Sequence, residues 1–176
     1  MTQNNYDRLD EYDYVDGEYL YKVFDKYSKL LGSFLISFSI LEQELNLAIA
    51  EYIHDDWNEL GFVIIEKLTI GNKIELFYKM YVLLESMLSK KSKEKLIKIR
   101  KQLVVLNLFR NNIVHANWQS LAKDGFVRTK IVVDNQEGYV KFKKIEITPK
   151  IIRQKVKEVD DLVDKIGEYT DEARNQ

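Results

Sequence analysis

The 176 residues suffice for one domain with a substantial core, and apolar and charged fractions of 45% and 31% exclude the disordered and fibrous classes. The absence of cysteine excludes disulfides, zinc ribbons and thiol nucleophiles, while seven glycines and one proline leave room for long helices. A net charge of -1 conceals an uneven distribution: seven positive and sixteen negative charges fall in residues 1–89, eighteen and five in 90–157, and two and seven in 158–176. A basic middle between acidic ends fits a polyanionic partner such as RNA, or acidic and basic segments that face each other within the fold.

Residues 1–17 form an acidic, tyrosine-rich arm, in which Asp7, Asp10, Glu11, Asp13 and Asp16 alternate with Tyr6, Tyr12 and Tyr14. Such a stretch suits a short helix or a frayed end. It lacks the apolar run of a signal peptide, and no segment has the length of a membrane span, so a cytoplasmic protein without a membrane partner is expected. Residues 18–176 read as a single helical domain. From Glu18 to His54 the spacing predicts a helix with one stripe at Phe34, Phe38, Leu41, Leu45, Ala48 and Tyr52. A second stripe, Ile36, Ile40 and Leu47, runs beside it, as on a helix buried on two sides or shared with a subunit interface. His54, at the end of this helix, has no partner motif and reads as structural.

Asp55, Asp56 and Gly61 punctuate the chain before a shorter apolar stretch, Phe62 to Leu68. Thr69 can cap a helix over Ile70–Leu88, and a basic connection then leads into a long helix over Ser92–Ala116. Past that helix the period changes from helical to alternating. Residues 126–133 and 139–147 predict a hairpin, and Thr148-Pro149 is a strong start for the last helix. The predicted class is all-α: a bundle of four to five main helices with a small hairpin, about 126–147, inserted before the C-terminal helix.

The long helix closes on Phe109-Arg110-Asn111-Asn112-Ile113-Val114-His115-Ala116-Asn117-Trp118. Arg110 and His115 are five residues apart, so their side chains diverge by about 140°. Asn111 shares a face with His115, and Asn107 lies on that side one turn back. These residues form a polar wedge, expected opposite the apolar side made by Leu96, Ile99, Leu103, Leu106 and Ile113. A polar wedge of this kind needs buried partners or a ligand. No phosphate-cradling glycine loop, serine elbow or zinc-type histidine spacing is present, and two histidines without cysteine argue against a transition-metal site.

Arg110, then four residues, then His115, with Asn111 directly after the arginine, resembles the Arg-x4-6-His motif of HEPN ("higher eukaryotes and prokaryotes nucleotide-binding") domains. Leu41-Glu42 in the early helix resembles the acidic position that many members place near the motif. The resemblance spans about residues 20 to 166, and it implies a HEPN-like helical bundle. Many members are metal-independent endoribonucleases, often toxins or phage-defence effectors, that act as dimers and need no cofactor. On this likeness RNA is the expected substrate, a homodimer the expected assembly, and an inhibitor or antitoxin protein a possible partner. Members regulated by nucleotide transfer carry a tyrosine two residues after the histidine; Asn117 stands there instead.

The residue types suit that chemistry. Histidine titrates near neutrality and can take a proton from a ribose 2′-OH or return one to the leaving oxygen. Arginine offers fixed charge and a fork of donors to a pentavalent phosphate. His115 is thus the expected acid/base, Arg110 the phosphate stabiliser and Asn111 the orienting group, with Glu42 and Asn107 in support. Lys93, Arg100, Lys123 and Arg128 are candidate RNA contacts. One chain supplies one motif histidine, so two chains about a twofold axis would supply two. Other readings stay open: a non-catalytic nucleotide- or RNA-binding module, or a scaffold in which Arg110 pairs with Glu42 and His115 caps the helix. Phe109 and Trp118 read as core aromatics.

Overall fold

The computed structural model describes residues 6–8, 17–53, 58–84, 90–122, 124–134 and 138–174. A short strand β1 (Tyr6–Arg8) precedes four helices: α1 (Gly17–Ile53), α2 (Asn58–Ile65), α3 (Ile70–Leu84) and α4 (Lys90–Val114). A 3-10 turn at Trp118–Ser120, strands β2 (Phe126–Asp134) and β3 (Tyr139–Glu146), and helix α5 (Pro149–Arg174) complete the order. The fold is mostly α, with an antiparallel hairpin directly before the last helix, as the periodicity predicts. His54 and Lys123 lie outside the described residues.

The chain forms two compact units, Met1–Phe34 with Phe109–Gln154 and Leu35–Leu108 with Lys155–Gln176, so the division falls inside α1, α4 and α5. The second unit is a helical bundle. Its core takes Phe38, Leu41, Leu45 and Ile49 from α1, Ile74 and Phe77 from α3, Leu96, Leu103 and Leu106 from α4, and Val159, Leu162 and Ile166 from α5. Tyr81 is the centre of its aromatic packing, with ring centroids at 4.7 Å to Phe77 and 5.5 Å to both Tyr52 and Tyr169. The Tyr81 hydroxyl donates to the Ala48 carbonyl at 3.4 Å, and burial, aided by Tyr52 and Asp171, pushes its pKa far above the ordinary phenol value. Thr69 caps α3 as expected, its hydroxyl oxygen accepting from the Asn72 amide at 3.3 Å.

The first unit holds the sheet, antiparallel and ordered β1-β3-β2. The acidic arm, expected as helix or frayed end, contributes β1, with Tyr6 opposite Lys143 and Arg8 opposite Lys141. The free edge of β3 carries unpaired amides and carbonyls, which a short alternating segment can satisfy. Between Arg128 and Lys130 the β2 register shifts, and the Thr129 hydroxyl donates to the Lys143 carbonyl at 3.2 Å. Gly125 leads into β2 at φ +90, where a Cβ would come within 2.8 Å of Thr148 Cγ2. Its carbonyl accepts from the Ile147 amide at 2.7 Å, and Thr148 Oγ1 then accepts from the Ile151 amide at 3.3 Å at the start of α5.

One backbone approach fixes α2 on α1. A Cβ on Gly61 would stand 2.4 Å from Ala50 Cα, closer than any side chain can come. Gly61→Ala is therefore expected to push α2 off α1, with a loss of about 2 kcal/mol and a fall of about 6 °C in Tm. An unchanged thermal melt would show that the two helices do not pack backbone to backbone.

Candidate functional site

Helix α4 carries two stripes, and the motif residues divide between them. Leu96, Ile99, Leu103, Leu106 and Ile113 are at most 4% exposed. Their alternating steps of three and four place Arg110 in the same line, between Leu106 and Ile113. The half-buried guanidinium thus stands on the apolar side of the helix and not opposite it as the polar wedge predicts. Arg110 Nη1 donates to Asn111 Oδ1 at 3.2 Å, and among the described residues no carboxylate pairs with it. A fixed charge in a core stripe with only a neutral oxygen beside it keeps most of its donors for something else.

The second stripe is Ile97, Val104 and Leu108, which are 42%, 45% and 61% exposed. Continuing by three and four residues, it reaches Asn111 and the exposed His115. The His115 amide still donates to the Asn111 carbonyl at 3.1 Å, so the imidazole leaves the last helical turn on the open side.

The segment beyond the motif is tied down on both sides. Trp118 Nε1 donates to the Ile113 carbonyl at 2.9 Å, satisfying one of the acceptors that a helix C-terminus leaves free. Its ring packs on Tyr27 with centroids 5.9 Å apart, and Phe109 meets Phe34 edge-on at 5.1 Å. Both aromatics pack against other rings but are half-buried, where core positions were expected. The Asn117 amide donates to the Arg128 carbonyl at 2.8 Å, while the Ser120 hydroxyl donates to Asn117 O at 2.6 Å and accepts from the Arg128 amide at 2.9 Å. His115 therefore sits between a helix end and a stretch bonded to β2.

The other candidates are engaged elsewhere or stand apart. Glu42 holds Lys73 Nζ at 2.8 Å, and Lys73 is only 6% exposed. The expected counter-charge for Arg110 is thus the counter-charge of a buried lysine outside the motif. Lys73 could have been noticed, because it falls on the apolar side of α3 beside Ile74 and Phe77. Asn107 Oδ1 is buried without a hydrogen-bond partner, and its Nδ2 lies 3.9 Å from where a Cβ on Gly71 would be. Glu42 and Asn107 belong to the bundle unit; Arg110, Asn111 and His115 belong to the sheet unit. Arg100 donates to Glu75 at 2.8 and 3.2 Å and lies 4.7 Å above the Tyr78 ring. Arg128 lies 4.7 Å above the Phe142 ring, and Lys93 is exposed. Among the described residues no three His, Asp or Glu side chains converge on a position for a metal ion, and no helix is long and apolar enough to cross a membrane. Compared with protein-family models, curated proteins and solved structures, the chain matches none.

Arg110→Met separates a pairing residue from a ligand-binding one. Methionine fills the stripe with no charge to desolvate, so stability should rise by about 1 kcal/mol, or about 3 °C in Tm. A marked fall would mean that the guanidinium supports the fold.

Proposed function

We propose that the chain is a HEPN-type endoribonuclease that cleaves RNA as a homodimer without a metal ion, in the manner of a toxin or phage-defence effector. The observation that carries this reading is Arg110, a half-buried guanidinium without a carboxylate partner among the described residues, five positions before an exposed histidine just past the end of the same helix. A half-buried cation is best satisfied by a ligand anion, and a phosphodiester meets its fork of donors. With Arg110 on the phosphate, the imidazole of His115 accepts the proton of the adjacent ribose 2′-OH. The O2′–P bond forms and the P–O5′ bond breaks, leaving a 2′,3′-cyclic phosphate. The departing O5′ takes a proton from a second imidazolium, so one group gains the proton that the other releases. Arg110 stabilises the charge that gathers on the phosphoryl oxygens.

The second imidazole comes from a second copy of the chain. In support, Ile97, Val104 and Leu108 are exposed in line with Asn111 and His115, a seam with the spacing of paired helices. Two α4 helices meeting about a twofold axis near Asn111 would bury those side chains and bring two motifs together. An asparagine within such a seam sets register. The scaffold reading loses the pair it relied on, because Glu42 serves Lys73.

RNA incubated with the protein in excess EDTA should be cut to fragments ending in 2′,3′-cyclic phosphate, and His115→Ala should slow this at least about 100-fold. Leu108→Glu should turn a dimer into a monomer in sedimentation and lose cleavage with it. RNA that binds the wild type and stays intact would leave a binding module in place of an enzyme.

A further inference from the structure

Strand β2 is an outer strand of the sheet, and its edge is covered at one end only. At the start, the Arg128 amide and carbonyl are met by the Ser120 hydroxyl and the Asn117 amide. Past the register shift, from Lys130 to Val133, no backbone bond reaches the outer side among the described residues. An open edge of that kind presents a row of unsatisfied amides and carbonyls. Its two faces are unlike. On one, Ile131 and Val133 are 62% and 64% exposed, and they stand opposite Phe142 and Val140. On the other, Lys130 stands directly opposite Lys143, and Val132 opposite Lys141 is the next pair along. Among the described residues no carboxylate pairs with Lys130 or Lys143. Like charges in directly opposed positions repel, so this face is short of an anion.

We propose that the outer edge of β2 takes an extended acidic segment of a partner protein as a fourth strand of the sheet. The partner's backbone meets the open amides and carbonyls, and its side chains alternate between the two faces. Those beside Lys130 are carboxylates, and those beside Ile131 and Val133 are apolar. The opposite edge of the sheet shows the same mode within the chain, since β1, from the acidic arm, pairs with β3. The devices that keep an edge free do little here. The register shift lies between Arg128 and Lys130, next to the covered part, and three β-branched residues in a row follow Lys130. A single edge lysine repels a basic strand and attracts an acidic one, so Lys130 selects rather than blocks. A second copy of β2 would bring another Lys130 to a face already in excess of positive charge. A nucleic-acid strand would seek an aromatic platform, and Phe142 already carries the Arg128 guanidinium 4.7 Å above its ring. None of these residues belongs to the motif, so the edge stands apart from the nuclease reading.

Titration of the full chain with an acetylated peptide alternating glutamate and valine tests it, read by calorimetry and by amide hydrogen exchange. The peptide should bind and should slow exchange within Lys130–Val133 while leaving the buried helices unchanged. A peptide of the same composition, with its glutamates and valines in two blocks, should bind at least about tenfold more weakly. So should a peptide alternating lysine and valine. Lys130→Glu, at an exposed position, should weaken the alternating acidic peptide by a similar factor and keep the wild-type melting temperature. No binding of that peptide overturns the proposal, as does binding that spares the exchange of Lys130–Val133. So does equal affinity for the block peptide, or affinity indifferent to Lys130→Glu. Protection of the same amides by a 2′-deoxy oligonucleotide and not by the peptide would make the edge a nucleic-acid surface and overturn it too.

Discussion

Helix α4 obeys a spacing constraint that most of the molecule depends on. For its full length, steps of three and four put Leu96, Ile99, Leu103, Leu106 and Ile113 into the interior, and each of these is nearly inaccessible. Burial of several large aliphatic side chains, each contributing about 1.5–3 kcal/mol, fixes the rotation of the helix about its axis. Once that rotation is set, every other position on α4 is set with it. Arg110 is carried into the core line, and Asn111 and His115 are carried onto the exposed line that starts at Ile97. A slip of one residue would turn each of these by about 100° and put Arg100, Asn107 and Asn111 into the core line.

Arg110 is the charged residue that breaks this pattern. Leucine or methionine at that position would continue the stripe, and among the described residues the guanidinium holds only the Asn111 carboxamide oxygen there. Lys73 makes an informative contrast. It too is a cation on an apolar face, more deeply buried than Arg110, and the fold supplies Glu42 for it at 2.8 Å. A buried ammonium without that carboxylate would be destabilising by several kcal/mol, so its partner is a structural requirement. Among the described residues the fold gives one inward cation a carboxylate and the other a carboxamide oxygen. Positions that depart from local consistency in this way are where function is expected.

The helical class, the caps at Thr69 and Thr148 and the hairpin before α5 were legible because each has a strong local cause: periodicity, a hydroxyl before an apolar run, β-branched alternation. Tyr6–Arg8 was not, since three residues carry no period and the strand exists only because β3 offers an edge. The motif itself was legible as a set of residue types at a spacing. The side on which Arg110 lies differs from the expected one, although the three-and-four steps through Leu103 and Leu106 already contain it. The pairing of Glu42 with Lys73 depends on contact between α1 and α3, which no local pattern reports. The engagement of Arg100 with Glu75 and Tyr78 is of the same kind.

The central claim is that Arg110, which meets no carboxylate among the described residues, is held so that a phosphate can meet it. The most direct test is the change in melting temperature on adding a 2′-deoxy dinucleotide, which has a phosphodiester but no 2′-OH to attack, to wild type and to Arg110→Met. The account predicts a ligand-induced rise in the wild type and a smaller rise in the variant. Equal rises in the two proteins would contradict it, because the guanidinium would then have no part in holding the phosphate.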